Sequence, residues 1–94
     1  MQPGDRPVSY DLVYARQARK DAKVLKGTAL AKKAGELLDI IREDPFTDPP
    51  PFEALVGDLK GAFSRRINIQ HRLVYQVYGQ EQVVKVLRLW TRYE

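Results

Sequence analysis

Apolar and polar positions change period several times along the chain, and each change marks an element. The run VSYDLVY at 8–14 is rich in β-branched and aromatic residues and predicts a first strand, weakened by Asp11. From Ala15 the spacing becomes helical: Ala18, Ala22 and Leu25 recur at fours and threes among Arg16, Arg19, Lys20 and Lys23. This predicts a short helix with a basic outer face. Gly27 supplies a stop and Thr28 an N-cap for the next helix. In that helix Leu30, Ala34, Leu37, Leu38 and Ile41 form one stripe, with Lys32, Lys33, Glu36, Asp39 and Glu43 on the other side. It is expected to pack on a sheet.

Pro45, Pro49, Pro50 and Pro51 then end the helix and predict an extended crossover, because each fixes its own φ and drives its predecessor out of the α region. Glu53 sits at the end of this stiff segment. Three further strands are expected, at 55–67 with the turn-like GDLKG inside it, at 71–78, and at 82–91, with YGQE as a hairpin connection. In the middle one Leu73, Tyr75 and Val77 share a face, and Arg72, Val74 and Gln76 share the other. Arg72 is therefore expected on an open face, away from Leu73 and Tyr75. The order strand, two helices, antiparallel meander is an α+β arrangement, with two N-terminal helices packed on one face of a mainly antiparallel sheet.

A chain of 94 residues that is 44% apolar is expected to form one domain spanning 1–94, with the Pro- and Gly-containing 1–7 as a flexible lead-in. There is no apolar run near ~18 residues and no signal-like start, so a cytoplasmic protein without membrane association is expected. With no cysteine and a single His71, a metal site needing ~3–4 ligands is not expected, and no cofactor is implied. Charge changes the picture more. Of 16 Lys and Arg and 12 Asp and Glu, the segment from Lys60 to Arg72 holds Lys60, Arg65, Arg66 and Arg72 and no acid, so it carries the whole net charge of +4. Such concentration suits a polyanion such as nucleic acid; a solvated basic surface is the alternative.

The segments DPF, GDLKGAFSRRINIQHRLVYQV and a Tyr–Glu pair after the last apolar strand resemble the YoeB/Txe branch of the RelE superfamily of bacterial toxins, over about 8–94. The resemblance implies the RelE-like fold, ribosome-dependent cleavage of mRNA in the 30S A site, and a cognate antitoxin partner. A homodimer is also compatible with it. It places the general base at Glu53, the phosphate-binding arginine at Arg72 and the C-terminal tyrosine at Tyr93, with Lys60, Arg65 and Arg66 as RNA-engaging cations. Where the family carries His before that tyrosine, this chain has Arg92.

The chemistry of metal-free RNA cleavage asks for a base, cations around the phosphate, and an acid for the leaving oxygen. Glu53 on a stiffened segment suits the first role; the competing reading is a loop glutamate paired with a nearby arginine. Arg72 offers a planar fork for phosphate oxygens, or is an ordinary strand arginine. Tyr93 suits base stacking or closure of a sheet edge. Arg92, with a reference pKa above ~12, stabilises charge but is a poor acid, which implies attenuated cleavage. A binding module that occupies the ribosome without cutting, or a basic face that only docks an antitoxin, are the alternatives. His71 is expected to pack or hydrogen-bond at the turn, and Leu87, Leu89 and Trp90 to serve the core or an antitoxin contact.

Overall fold

The computed structural model of the chain describes residues 9–92, so the lead-in expected at 1–7 and the role assigned to Tyr93 lie outside the described residues. The described elements run β1 (Asp11–Tyr14), α1 (Arg16–Leu25), α2 (Ala29–Glu43), β2 (Glu53–Ala54), a 3-10 turn (Gly57–Leu59), β3 (Ala62–Arg66), β4 (His71–Tyr78) and β5 (Val83–Arg92). They form a five-stranded sheet in the order β1-β5-β4-β3-β2. Only β1 runs parallel to its neighbour, β5. The α+β expectation therefore stands, with the sheet mixed by that one parallel edge.

The helical periodicity places the core. Ala18 and Leu25 from α1 and Ala34, Leu37 and Ile41 from α2 are buried against Leu73, Tyr75, Val84, Val86 and Leu89 of the sheet. Gly27 turns the chain between the helices at φ +82°, a conformation that costs glycine little. Thr28 occupies the N-cap position of α2, but its hydroxyl donates back to the Leu25 carbonyl at 2.6 Å and caps no α2 amide. The expected cap is thus a tie between the two helices.

The opposite face of the sheet is not simply open. Leu55, Ala62 and Val74 are buried in a second, smaller cluster, with Leu87 packed against it. This corrects the expectation of a bare face around Arg72: Leu55, just past β2, folds over the strands that Arg72 shares.

Asp21 is a core position that periodicity alone would give to an apolar residue, and it is 2% exposed. Its carboxylate accepts from Arg88 Nε at 2.8 Å, Arg88 Nη2 at 3.2 Å and the Leu89 N–H at 3.1 Å. The register explains it. While β4 advances two residues from Arg72 to Val74, antiparallel β5 runs back three, from Thr91 to Arg88, and the strand bulges there. Asp21 takes up the Leu89 amide within the bulge, so a buried donor that the irregular ladder would leave unmatched is satisfied. No helix among the described residues is long and apolar enough to cross a membrane.

Candidate active site

Glu53 reaches the site through strand pairing. The stretch 53–54, expected to end the proline crossover, forms the edge strand β2, in which Glu53 lies opposite Ser64 of β3. Ser64 is in turn opposite Val74, and Arg66 is opposite Arg72. Residues directly across a ladder share a face. Glu53, Ser64, Arg66 and Arg72 therefore gather at one end of the sheet, lining with Pro51 and Phe52 a cleft of about 230 Å³.

Arg72 is the centre of this group. Its Nη1 donates to Glu53 Oε1 at 3.2 Å and to Ser64 Oγ at 3.2 Å. The Arg72 side chain is 13% exposed and that of Glu53 is 61% exposed. An ion pair this open to water contributes little to stability. Its effect is positional: carboxylate and guanidinium are held together at the cleft, the carboxylate facing solvent. The pairing with an arginine expected of a loop glutamate is present, and the same contact holds the carboxylate at the cleft.

Ser64, 0% exposed, is a member of the group that the sequence reading omitted. Strand alternation was the available signal, because Ser64 and Arg66 are two apart in β3 and so share a face.

The same alternation overturns the role expected of Arg65. It faces the opposite side of β3, opposite Leu73, and is 1% exposed. Its Nη2 donates to the carbonyls of Pro45 at 3.0 Å and Thr47 at 2.9 Å, its Nη1 to the carbonyl of Pro50, and its Nε to the Tyr75 hydroxyl at 3.1 Å. The guanidinium also lies 4.9 Å from the centroid of the Phe52 ring. A cation buried this deeply, with four of its five N–H groups engaged, is not presented to RNA. Arg65 instead ties the proline crossover to the sheet, one strand residue from the cleft.

Tyr75 completes that tie by donating to the Pro45 carbonyl at 2.8 Å. Desolvation raises its pKa above the ordinary 10.0, against a smaller downward pull from the Arg65 charge and hydrogen bond. A phenol harder to ionise when folded protects stability fully below pH 10, and that contribution is lost as pH rises from 10 through its folded value. Urea unfolding followed from pH 9 to 11.5 is expected to show a shallower alkaline loss for Tyr75→Phe than for the wild type. At pH 7 the same variant should lose about 1–2 kcal/mol, since two buried hydrogen bonds go with the hydroxyl. Identical alkaline slopes would remove this account of Tyr75.

Lys60 is exposed and closes the 3-10 turn, outside the residues that line the cleft. His71 behaves as expected of a turn residue: Asn68 Oδ1 accepts its backbone N–H at 2.7 Å and lies 3.1 Å from its Nδ1. Arg92 ends β5 with its backbone opposite His71, and Thr91 lies opposite Arg72. The expectations for the Arg92 and Trp90 side chains fall outside the described residues. Of the basic residues expected together, then, Arg66 and Arg72 meet at the cleft, Lys60 stands apart and Arg65 lies beneath.

Solved structures that share this arrangement, two helices on one face of a mostly antiparallel sheet, include toxins of bacterial toxin-antitoxin systems. The fold matches the YoeB/ParE toxin from Agrobacterium tumefaciens with a TM-score of 0.79 at 30% identity, covering 88% of this chain and 99% of that one. It matches the YoeB-YefM complex from Staphylococcus aureus with a TM-score of 0.75 at 32% identity, over 89% and 98% of the two chains. The YoeB dimer from the same organism matches with a TM-score of 0.75 at 30% identity, over 92% and 100%. In sequence, Toxin YoeB of Streptomyces coelicolor is 38% identical over 71 residues, 76% of this chain and 77% of that protein. The family model of the YoeB-like toxin of bacterial type II toxin-antitoxin systems matches residues 11–93. The chain belongs to this YoeB-like toxin family.

Proposed function

We propose that this toxin is a ribosome-dependent endoribonuclease that cuts mRNA in the A site, with the cleft between β2, β3 and β4 as its active site. The observation that carries the reading is the Arg72 guanidinium held between Glu53 and Ser64. In the reaction Glu53 takes the proton of a ribose 2′-hydroxyl, and the 2′-oxygen attacks the adjacent phosphorus. Arg72 and Arg66 balance the charge that builds on the phosphoryl oxygens. The bond to the 5′-oxygen breaks, leaving a 2′,3′-cyclic phosphate, and the departing oxygen takes up a proton. Arg92 occupies the position from which the family's histidine would supply that proton, and it releases one too reluctantly to do so. Tyr93 serves as a stacking surface for a base, and Lys60 acts as a more distant cation along the RNA.

Ribosome dependence has a physical rationale: a small site lacking its acid gains from a host that orients the substrate for it. On this reading the protein works in the cytoplasm, a cognate antitoxin covers the basic cleft, and a homodimer is a reasonable assembly. The test is cleavage of mRNA on programmed ribosomes beside free RNA, read by mapping 5′ ends. Cutting is expected on ribosomes and not on free RNA; equal cutting of both would remove the ribosome-dependent version. Arg92→His is expected to raise the rate about tenfold, toward the ~10²–10⁴ that a general acid supplies. No gain would overturn the account of Arg92.

Arg92 also favours a second reading, in which the protein binds the ribosome and blocks translation without cutting. Inhibited translation with intact mRNA and salt-sensitive ribosome binding would identify that case. A basic face used only to dock its antitoxin would leave translation untouched.

A further inference from the structure

A second hollow, of about 360 Å³, adjoins the Glu53–Arg72 cleft and shares Pro51 and Arg66 with it. Its apolar part is formed by Pro50, Pro51, Ile67 and Ile69. Ile67 is 4% exposed and gives a fixed floor, whereas Ile69, at the tip of the β3–β4 hairpin, is 85% exposed. Its charged part is Arg66 from β3 and Lys33 from the outer face of α2. Both cations are exposed, no acidic side chain lines the hollow, and no carboxylate among the described residues pairs with either.

The loop that carries Ile69 is held from within. Asn68 Oδ1 accepts the backbone N–H groups of Gln70 at 2.8 Å and His71 at 2.7 Å, and the Asn68 N–H donates to the His71 carbonyl at 3.2 Å. With its oxygen engaged, Asn68 has its amide N–H groups as the part able to meet a ligand. A preformed apolar shelf, two cations without acidic partners among the described residues and an amide donor match one kind of occupant: a nucleobase lying on the shelf with its phosphate between the cations. The volume is ample for one nucleotide unit.

We infer that this hollow is a second nucleotide subsite, which seats the residue next to the scissile phosphate and so contributes to the choice of cutting position. The Arg66 guanidinium stands on the wall shared by the two spaces and would contact the phosphate that joins them. Lys33 fixes the outer phosphate, and Ile69 covers one face of the base. The inference rests on the reading of the main cleft as an RNA cleavage site.

The experiment has two readouts. Binding of a short single-stranded RNA is measured by fluorescence anisotropy across a salt series, and cut positions on programmed ribosomes are mapped by 5′ ends. Wild type, Lys33→Ala and Ile69→Ser are compared, each first checked for an unchanged melting curve. Lys33→Ala is expected to reduce the slope of log affinity against log salt by about one. Ile69→Ser is expected to weaken oligonucleotide binding about fivefold, the low end for a lost base platform, and to flatten nucleotide preference at one position beside the cut. Unchanged salt slope, affinity and cut pattern in both variants would overturn the subsite, even with an active wild type. A wild type that leaves mRNA intact, with both variants still weakening RNA binding, would remove the nuclease reading and overturn the placement beside a scissile phosphate, while supporting the hollow as a nucleotide site.

Discussion

Glu53→Gln is expected to lower mRNA cleavage on ribosomes by about 10²–10⁴-fold, the usual contribution of a positioned general base. The substitution keeps the shape of the side chain and an oxygen within reach of Arg72 Nη1, which lies 3.2 Å from Oε1 in the wild type. It removes the negative charge and with it the ability to accept the 2′-hydroxyl proton. Stability should change by less than about 1 kcal/mol, because the pair it weakens is exposed on the glutamate side and screened by water. The measurement is a single-turnover rate on programmed ribosomes, with a melting curve as control. A rate within about threefold of wild type, in a folded protein, would take the base role away from Glu53 and with it the proposed mechanism.

Arg65→Met is expected to have the largest effect on stability, a loss of about 3–5 kcal/mol. Methionine matches much of the volume, but the carbonyls of Pro45, Thr47 and Pro50 and the Tyr75 hydroxyl would lose their common donor. Each buried acceptor left unmatched costs about 1–3 kcal/mol, and the four losses overlap because one loop relaxes to meet water. Arg65→Lys distinguishes charge from geometry. A lysine ammonium carries the same charge on a single nitrogen and lacks the planar fork that serves three carbonyls, so a loss of about 2 kcal/mol is still expected. Urea unfolding at pH 7 checks both. A neutral outcome for Arg65→Met would show that the crossover is held mainly by packing of Phe46, Phe52 and Phe63, whose ring centroids lie 5.1–5.9 Å apart.

The two expectations meet at the crossover. Pro50 and Phe52, both in contact with the Arg65 side chain, lie three residues and one residue before Glu53 in the chain. A shift of the loop therefore moves the carboxylate, and misplacement by about 1 Å can cost about 10²-fold in rate. Arg65→Lys, folded at low temperature, should accordingly cut more slowly than wild type although its side chain never reaches the cleft.

Much of this was legible in the residues themselves. Period 3.6 in Ala18–Leu25 and Leu30–Ile41, the stop at Gly27, and alternation in His71–Tyr78 depend on short-range geometry, so the helices and the central strands follow from spacing alone. Glu53 and Arg72 were also marked out by the motifs that surround them. The basic quartet was misread as one surface because charge was counted along the chain while strands alternate across it. Arg65 and Arg66 are adjacent in sequence and on opposite faces in space. Their cross-strand partners, Leu73 for one and Arg72 for the other, are what separate them.

From sequence alone came the element types and the α+β class, since these reflect local periodicity, while Glu53 and Arg72 were singled out by the resemblance of their motifs to a family. Register belonged to the tertiary structure. Pairing Glu53 with Ser64, folding Leu55 over the second face, and turning Arg65 inward to three carbonyls all join segments distant in the chain. Such contacts depend on which backbone groups lack partners after the core has packed, and no local pattern of residues encodes that.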